Sequence, residues 1–145
     1  MRGIAASTGI AIGPARVVER RKIKIPKRRV SPSEVSDEIA RLYDALELSR
    51  KQLLAAKAMV LGSAEGHERP GASDHTLILD AYLLMLEDEM LTQGAVSLIS
   101  NQLINAEWAL VRKIDEIKNT LASLGDDYFK ERAQDVDFVG TRVLR

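Results

Sequence analysis

Positions 35, 39, 42, 46, 49, 53, 56 and 60 are Val, Ile, Leu, Leu, Ser, Leu, Ala and Val. This unbroken 4-3 spacing over about seven turns lays one apolar stripe along a single long helix. A helix of this kind gains most of its stability from what covers the stripe, so the chain must supply further helices to pack on it. The start is marked as well. Ser31-Pro32-Ser33-Glu34 sets an N-cap serine before a proline with no amide hydrogen to waste, and Glu34 stands where it can bond back to the cap. Gly62 is the expected stop.

The partners follow in order. Residues 62–73 (GSAEGHERPGAS) read as a loop. Ser73 or Asp74 caps a second helix that is apolar almost all round from Leu77 to Leu86. Glu87-Asp88-Glu89 predicts a kink or break, with Asp88 capping a continuation to about residue 104. Asn105 caps a third helix carrying Leu110, Ile114, Ile117, Leu121 and Leu124 on one side, and Gly125 ends it in a left-handed turn. Asp126 or Asp127 caps a fourth helix, with Phe129, Ala133, Val136, Val139 or Gly140, and Val143 on one face. Four amphipathic helices with short connections predict an up-down bundle over residues 31–145, its second helix kinked.

Residues 1–30 have a different character. Ile10, Ile12, Val17, Val18, Ile23 and Ile25 sit in short β-branched runs, and RKIKI at 21–25 alternates as a half-buried strand does. Two short strands make no stable sheet alone. The segment therefore needs a sheet from elsewhere, and it is expected to fold back on the bundle, to stay poorly packed, or to self-associate with another copy.

Length permits this division: 145 residues make roughly one ordinary domain. No apolar run reaches the roughly 20 residues of a membrane helix, so no membrane role is expected. Cysteine is absent, which removes disulfides, thiol nucleophiles and thiolate metal sites. The chain is expected to be cytoplasmic. Its formal charge of zero conceals an asymmetry. Residues 1–30 hold nine Lys/Arg against one acid, a balance of +8, and the remainder balances it at −8. Residues 70–111 contain six acids and no Lys or Arg. Aromatic residues are 4%, too few to interleave a base-stacking platform, so no nucleic-acid partner is expected.

Motifs for chemistry are sparse. There is no GxGxxG, GK[ST] or GxSxG. His67 lies in the glycine-rich loop and His75 in a first helical turn, neither with metal-ligand spacing, and both read as surface residues. The carboxylates at 87–89 point about 100° apart on a helix and do not converge as an acid–base pair or a metal site. The second helix is the outlier. A bundle helix needs about three apolar residues in seven, and this one exceeds that on more than one face. The excess is either deeply buried or a partner-binding patch, and the acids around it suit a basic partner with an apolar contact.

Three blocks, Arg2–Ala15 (RGIAASTGIAIGPA), Leu79–Asp88 (LDAYLLMLED) and Asp127–Leu144 (DYFKERAQDVDFVGTRVL), together resemble enzyme I of the bacterial phosphotransferase system. The resemblance covers the whole chain in order and spacing. It implies that residues 1–30 are strands of an incomplete α/β phosphohistidine domain. Residues 31–145 would be the helical insert that docks the phosphocarrier protein HPr. The whole enzyme would be a phosphoenolpyruvate–protein phosphotransferase serving sugar uptake, Mg²⁺-dependent and homodimeric. The phosphohistidine motif and the phosphoenolpyruvate barrel are not in this sequence, so the piece is expected to be inactive in transfer, with no catalytic residue, metal or cofactor of its own. Carried over by position, the HPr-binding residues are Asp74, Ile78, Asp80, Tyr82, Leu84, Met85, Glu89, Met90 and Arg132. Adjacent residues cannot share a helix face, so Leu84 and Met85 also have a core reading. Asp80 and Glu89 could equally be solvated charges, and Arg132 could pair with Glu131 or Asp135 on its own helix. The sequence departs from the family where Tyr82 replaces a usual histidine, Glu89 a frequent proline and Met90 a frequent acid, and where Ser7-Thr8-Gly9 stands for a usual serine-proline-glycine. The alternative is a helical adaptor of a nitrogen-regulatory or multidomain phosphotransferase, binding an HPr-like carrier.

Overall fold

The computed structural model describes residues 12–14, 24–62 and 72–145, with side chains from residue 76 onward in the last stretch. Most of the predicted N-terminal strand positions lie outside the described residues, as do the 63–71 connection, His67 and the side chains of Asp74 and His75. Five α-helices occur among the described residues: α1 (Val35–Gly62), α2 (Ala72–Glu87), α3 (Glu89–Gln102), α4 (Ala106–Ser123) and α5 (Asp127–Val143).

The serine-proline signal begins α1 through a short 3-10 turn, Pro32–Glu34. The Glu34 carboxylate accepts both the Ser31 backbone N–H and the Ser31 hydroxyl at 2.8 Å. It also accepts from the Arg28 guanidinium at 2.7 Å. The Ser31 amide first, and then Arg28 and the hydroxyl, pull this carboxyl down to about 2 from 4.5. A carboxyl depressed by folding stabilises the fold above its ordinary value, and that stabilisation is lost as pH falls from about 4.5 to about 2. Acid titration of helix content should therefore show native chain and Glu34→Gln differing at pH 6. The difference should close toward pH 2; a gap that stays constant with pH would contradict the assignment.

The α1 stripe is where the spacing puts it. Leu42, Leu46, Ser49 and Leu53 are buried, and Val35 and Ile39 pack on the same core. Asp88 breaks the second rod. It takes an extended backbone conformation between α2 and α3, and its carboxylate accepts the Met90 N–H at 2.7 Å. Ser73 and Asp74 lie inside the first turn of α2, which begins at Ala72, and do not precede it as caps. Asp126 caps α5 through the Tyr128 N–H at 2.9 Å, and Gly125 takes φ +77° as the predicted left-handed stop. Leu124 is exposed at the end of the α4 stripe and adds nothing to the core.

Side-chain pairs give the helix directions. Tyr43 of α1 meets Gln93 of α3 and Lys57 meets Asp80 of α2, so α1 runs antiparallel to the broken second rod. Lys118 meets Asp137, and Ile114 faces Gly140, so α4 and α5 are antiparallel. The result is the predicted up-down arrangement, with α2 and α3 together forming the second rod. Leu86, Leu91, Ala95, Ile99, Ala109, Leu110, Val139 and Val143 complete the core.

Two features depart from the sequence expectation. α3 ends at Gln102, and Leu103 just after it adopts a left-handed conformation at φ 51° without being glycine. Asn105 stands in the N-cap position of α4, yet its side chain makes no cap bond. Its carbonyl oxygen accepts the Arg28 N–H at 3.0 Å, and its amide donates to Pro26 O at 2.9 Å. A carboxylate from α1 does the capping: Glu38, 3% exposed, accepts the Ala106 N–H at 2.9 Å. Arg28 and Arg41 complete its shell.

This cluster also decides how the end of the N-terminal segment packs. Val30 N–H donates to Leu103 O at 2.9 Å, Asn105 N–H donates to Arg28 O at 3.0 Å, and Val30 is buried. Residues 28–30 thus fold back on the bundle within one chain. The predicted strand alternation does not extend through Lys24 and Ile25, which lie in no strand; a single bridge, Arg29 to Ile104, is the β-type pairing among the described residues.

Candidate partner-docking site

One turn of helix separates positions three or four apart, so α2 has a definable outer face. Leu79, Leu83 and Leu86 point inward to the core. Leu77 and Leu84 lie opposite them, Ile78 is exposed on the flank one turn from Tyr82, and Met90 follows just past the Asp88 break. Leu84 is 69% exposed, Leu77 65% and Met90 61%, which rules out a core role for each. Met85, next to Leu84, is half-buried against the core. The pair divides as adjacency requires.

Among the nine residues singled out from the sequence, Ile78, Leu84, Glu89 and Met90 are exposed on α2 and the start of α3. Asp74 falls in the first turn of α2, and its side chain is outside the described residues. Asp80 and Tyr82 turn to opposite flanks. Asp80 forms an ion pair with Lys57 of α1. Tyr82 leans on α5: its hydroxyl donates to Asp135 Oδ1 at 3.3 Å, and its ring lies 5.0 Å from that of Phe138. Burial first, and then the Asp135 charge and hydrogen bond, push the Tyr82 phenol above its ordinary value. The tyrosine is neutral near pH 7, where a histidine in its place would titrate.

Arg132 lies on α5 with its guanidinium 5.3 Å from the Tyr128 ring centre, a cation–π distance. Its Nε donates to the Tyr128 hydroxyl at 3.2 Å, and its Nη1 stands 3.5 Å from Asp135 Oδ2. The same-helix pairing anticipated for it is present. Tyr128 and Phe138 remain exposed beside it.

Leu77 belongs to the apolar run but matches no position carried over from the family. The signal that finds it is spacing: seven residues before Leu84, it belongs to the same outer stripe. The charge picture also changes. The stretch without Lys or Arg is not without positive neighbours, because Lys57 reaches Asp80 and Arg41 reaches Glu107. Three consecutive acids at the break, Glu87, Asp88 and Glu89, are exposed next to the apolar stripe. Asp88 acts as a cap, and no three His, Cys, Asp or Glu side chains gather as a metal-binding group among the described residues. These residues do not fit a divalent-metal site. No helix among them is long and apolar enough to cross a membrane.

What this arrangement can do is bind. It offers an apolar strip on a helix, an acidic turn at one end, and an aromatic and basic flank on α5. Its described residues present no converging nucleophile and base.

Known proteins resemble this chain over 99% of its length. The family model described as "PEP-utilising enzyme, N-terminal" matches residues 2–132. The chain is 36% identical over 144 residues to a phosphoenolpyruvate-protein phosphotransferase of Priestia megaterium, covering 99% of this chain and 24% of that protein. It is 29% identical over 143 residues to the Haemophilus influenzae protein of the same description, again 99% and 24%. The chain thus spans about a quarter of the length of these relatives. An NMR solution structure of Enzyme I (nEIt) matches 86% of this chain and 47% of that one, with TM-score 0.72 and 29% identity.

Proposed function

The chain belongs to the PEP-utilising enzyme N-terminal family, and from that premise we propose that its helical part is the carrier-docking region of a phosphoenolpyruvate–protein phosphotransferase. The carrier is HPr or an HPr-like protein. The observation that supports this most is the set of exposed apolar side chains Leu77, Ile78, Leu84 and Met90, for which a bundle helix has no internal use. Burying such side chains against a partner supplies affinity, at roughly 25 cal/mol per Å² of apolar area. The acids Glu87 and Glu89 at its end favour a basic partner and raise the rate of encounter. Met90 adds an adaptable thioether where the family often has a charge.

In this reading the helical part recognises and holds the carrier, and a histidine elsewhere in the whole enzyme passes phosphate from phosphoenolpyruvate to it. Mg²⁺ and dimerisation belong to that whole enzyme. A sugar-uptake role goes with HPr as carrier, and a regulatory role with an HPr relative.

The test is a calorimetric titration of the 145-residue chain with each type of carrier, alongside phosphoenolpyruvate. Binding without phosphorylation of either protein is expected. Leu84→Asp should weaken binding about tenfold or more, the cost of a charge in an apolar contact, and leave the melting temperature unchanged because the side chain is exposed. Phosphate appearing on either protein would overturn the proposed division of labour. A Leu84→Asp chain that binds as tightly as the native one would remove the docking face.

A further inference from the structure

We propose that Asp135 is a positioning residue of the docking face, holding Tyr82 of α2 and Arg132 of α5 in one arrangement; this rests on the docking reading above. Its two carboxylate oxygens are divided between the helices. Oδ1 accepts from the Tyr82 hydroxyl at 3.3 Å, and Oδ2 stands 3.5 Å from Arg132 Nη1. Arg132 is held from the other side by Tyr128, through its Nε at 3.2 Å and its cation–π contact. A chain of polar contacts therefore runs from α2 through Asp135 to the first turn of α5.

The strength of these contacts indicates their use. A hydroxyl bond at 3.3 Å is longer than the usual 2.7–2.8 Å, and a half-exposed ion pair at 3.5 Å contributes little to stability. Such contacts do little to hold the fold together. They choose orientations for side chains that could otherwise turn. Tyr82 has an apolar seat as well, its ring tilted 34° on Phe138 at 5.0 Å. Phe138 fixes where the ring lies, and Asp135 fixes which way the hydroxyl and the ring plane face. Without Asp135, Arg132 keeps Tyr128 alone and Tyr82 keeps Phe138 alone, so the two helices present their groups independently. Preorganised contact groups bind with less ordering cost than free ones.

The experiment is a double-mutant cycle on the native 145-residue chain, titrated with HPr, using Asp135→Ala, Tyr82→Phe and the pair. Asp135→Ala should weaken binding about fivefold, and Tyr82→Phe less. The pair should be no weaker than Asp135→Ala alone, the signature of residues acting as one unit. Asp135→Asn keeps an acceptor for Tyr82 and should recover part of the loss. A second readout needs no partner: the ring-proton NMR resonances of Tyr82 and Phe138 should move in Asp135→Ala while the melting temperature stays within about 2 °C of native. Strictly additive losses, or unmoved ring resonances, would overturn the positioning role. Tight binding by Asp135→Ala would overturn it too and leave docking intact. Failure of the native chain to bind any HPr-type carrier would instead remove the docking reading, and the role of Asp135 with it.

Discussion

Replacing Glu38 by alanine is expected to lower the unfolding free energy by about 2–3 kcal/mol. The figure is built from what is left behind. The Glu38 carboxylate accepts the buried Ala106 N–H at 2.9 Å and two bonds from Arg41 Nη1 at 2.8 and 2.9 Å, and it pairs with Arg28. The arginines are about half exposed and can turn to water when the carboxylate goes. Their loss is therefore small, on the scale of surface ion pairs. The Ala106 amide cannot turn. It is the first amide of α4, buried and without another acceptor, so its unmet hydrogen bond dominates. Glu38→Gln retains a carbonyl oxygen for that amide and should cost about half as much. Urea unfolding followed by Trp108 fluorescence measures both, since Arg29 lies 5.9 Å over the Trp108 ring, next to this cluster. Equal losses in the two variants would mean that charge, not the amide, sets the cost.

The second large effect is expected at Gly140. A Cβ there would lie 2.1 Å from Ile114 Cδ1 and 2.9 Å from Cγ1, inside any tolerable contact. Ile114 is buried in the core and β-branched, so it has little room to move. Gly140→Ala adds that clash but gains about 1 kcal/mol of helix propensity, so its net cost should be modest, roughly 0–2 kcal/mol. Gly140→Val adds two further methyls without the same gain and should cost about 3 kcal/mol. The check is coupling with Ile114→Val, which shortens the side chain at the point of contact. In a denaturant cycle the double variant should be more stable than the sum of the singles predicts, by about 1 kcal/mol. Additive effects would place the strain elsewhere.

Much of the fold could be read in advance, because it depends on local rules. The Ser31-Pro32 start, the α1 stripe, the Asp88 break, the Asp126 cap and the Gly125 stop each follow from residues within about one turn. What escaped depends on distant neighbours. Glu38 reads as an ordinary charge near the edge of a stripe until α4 is placed beside it. Asn105 reads as a cap, and its backbone does lie at the helix start. Its side chain is used instead by Pro26 and Arg28, more than 70 residues earlier. The end of α3 at Leu103 carries no glycine or asparagine to announce a left-handed residue. At the proposed docking face, composition points to α2 and the acids. Resemblance supplied the candidate list, and the fold separated its members into exposed ones, such as Leu84, and flanking ones, such as Asp80 and Tyr82. Leu77 needed only the helical period, applied to the face opposite the core.

The join of residues 28–30 to 103–105 has a consequence in time. Arg28 and Asn105 are 77 positions apart, and Glu38 and Ala106 are 68 apart. Closing loops of that length is entropically costly and earns no hydrogen bond until it is complete. The helices and their local pairs, such as α4 with α5, come together across short connections and can form first. The join is then among the last native contacts to appear and the first to open. Variants of Glu38 should accordingly leave the refolding rate almost unchanged and speed unfolding. Residues 28–30 would then leave the bundle through fast local openings, long before the helices themselves come apart.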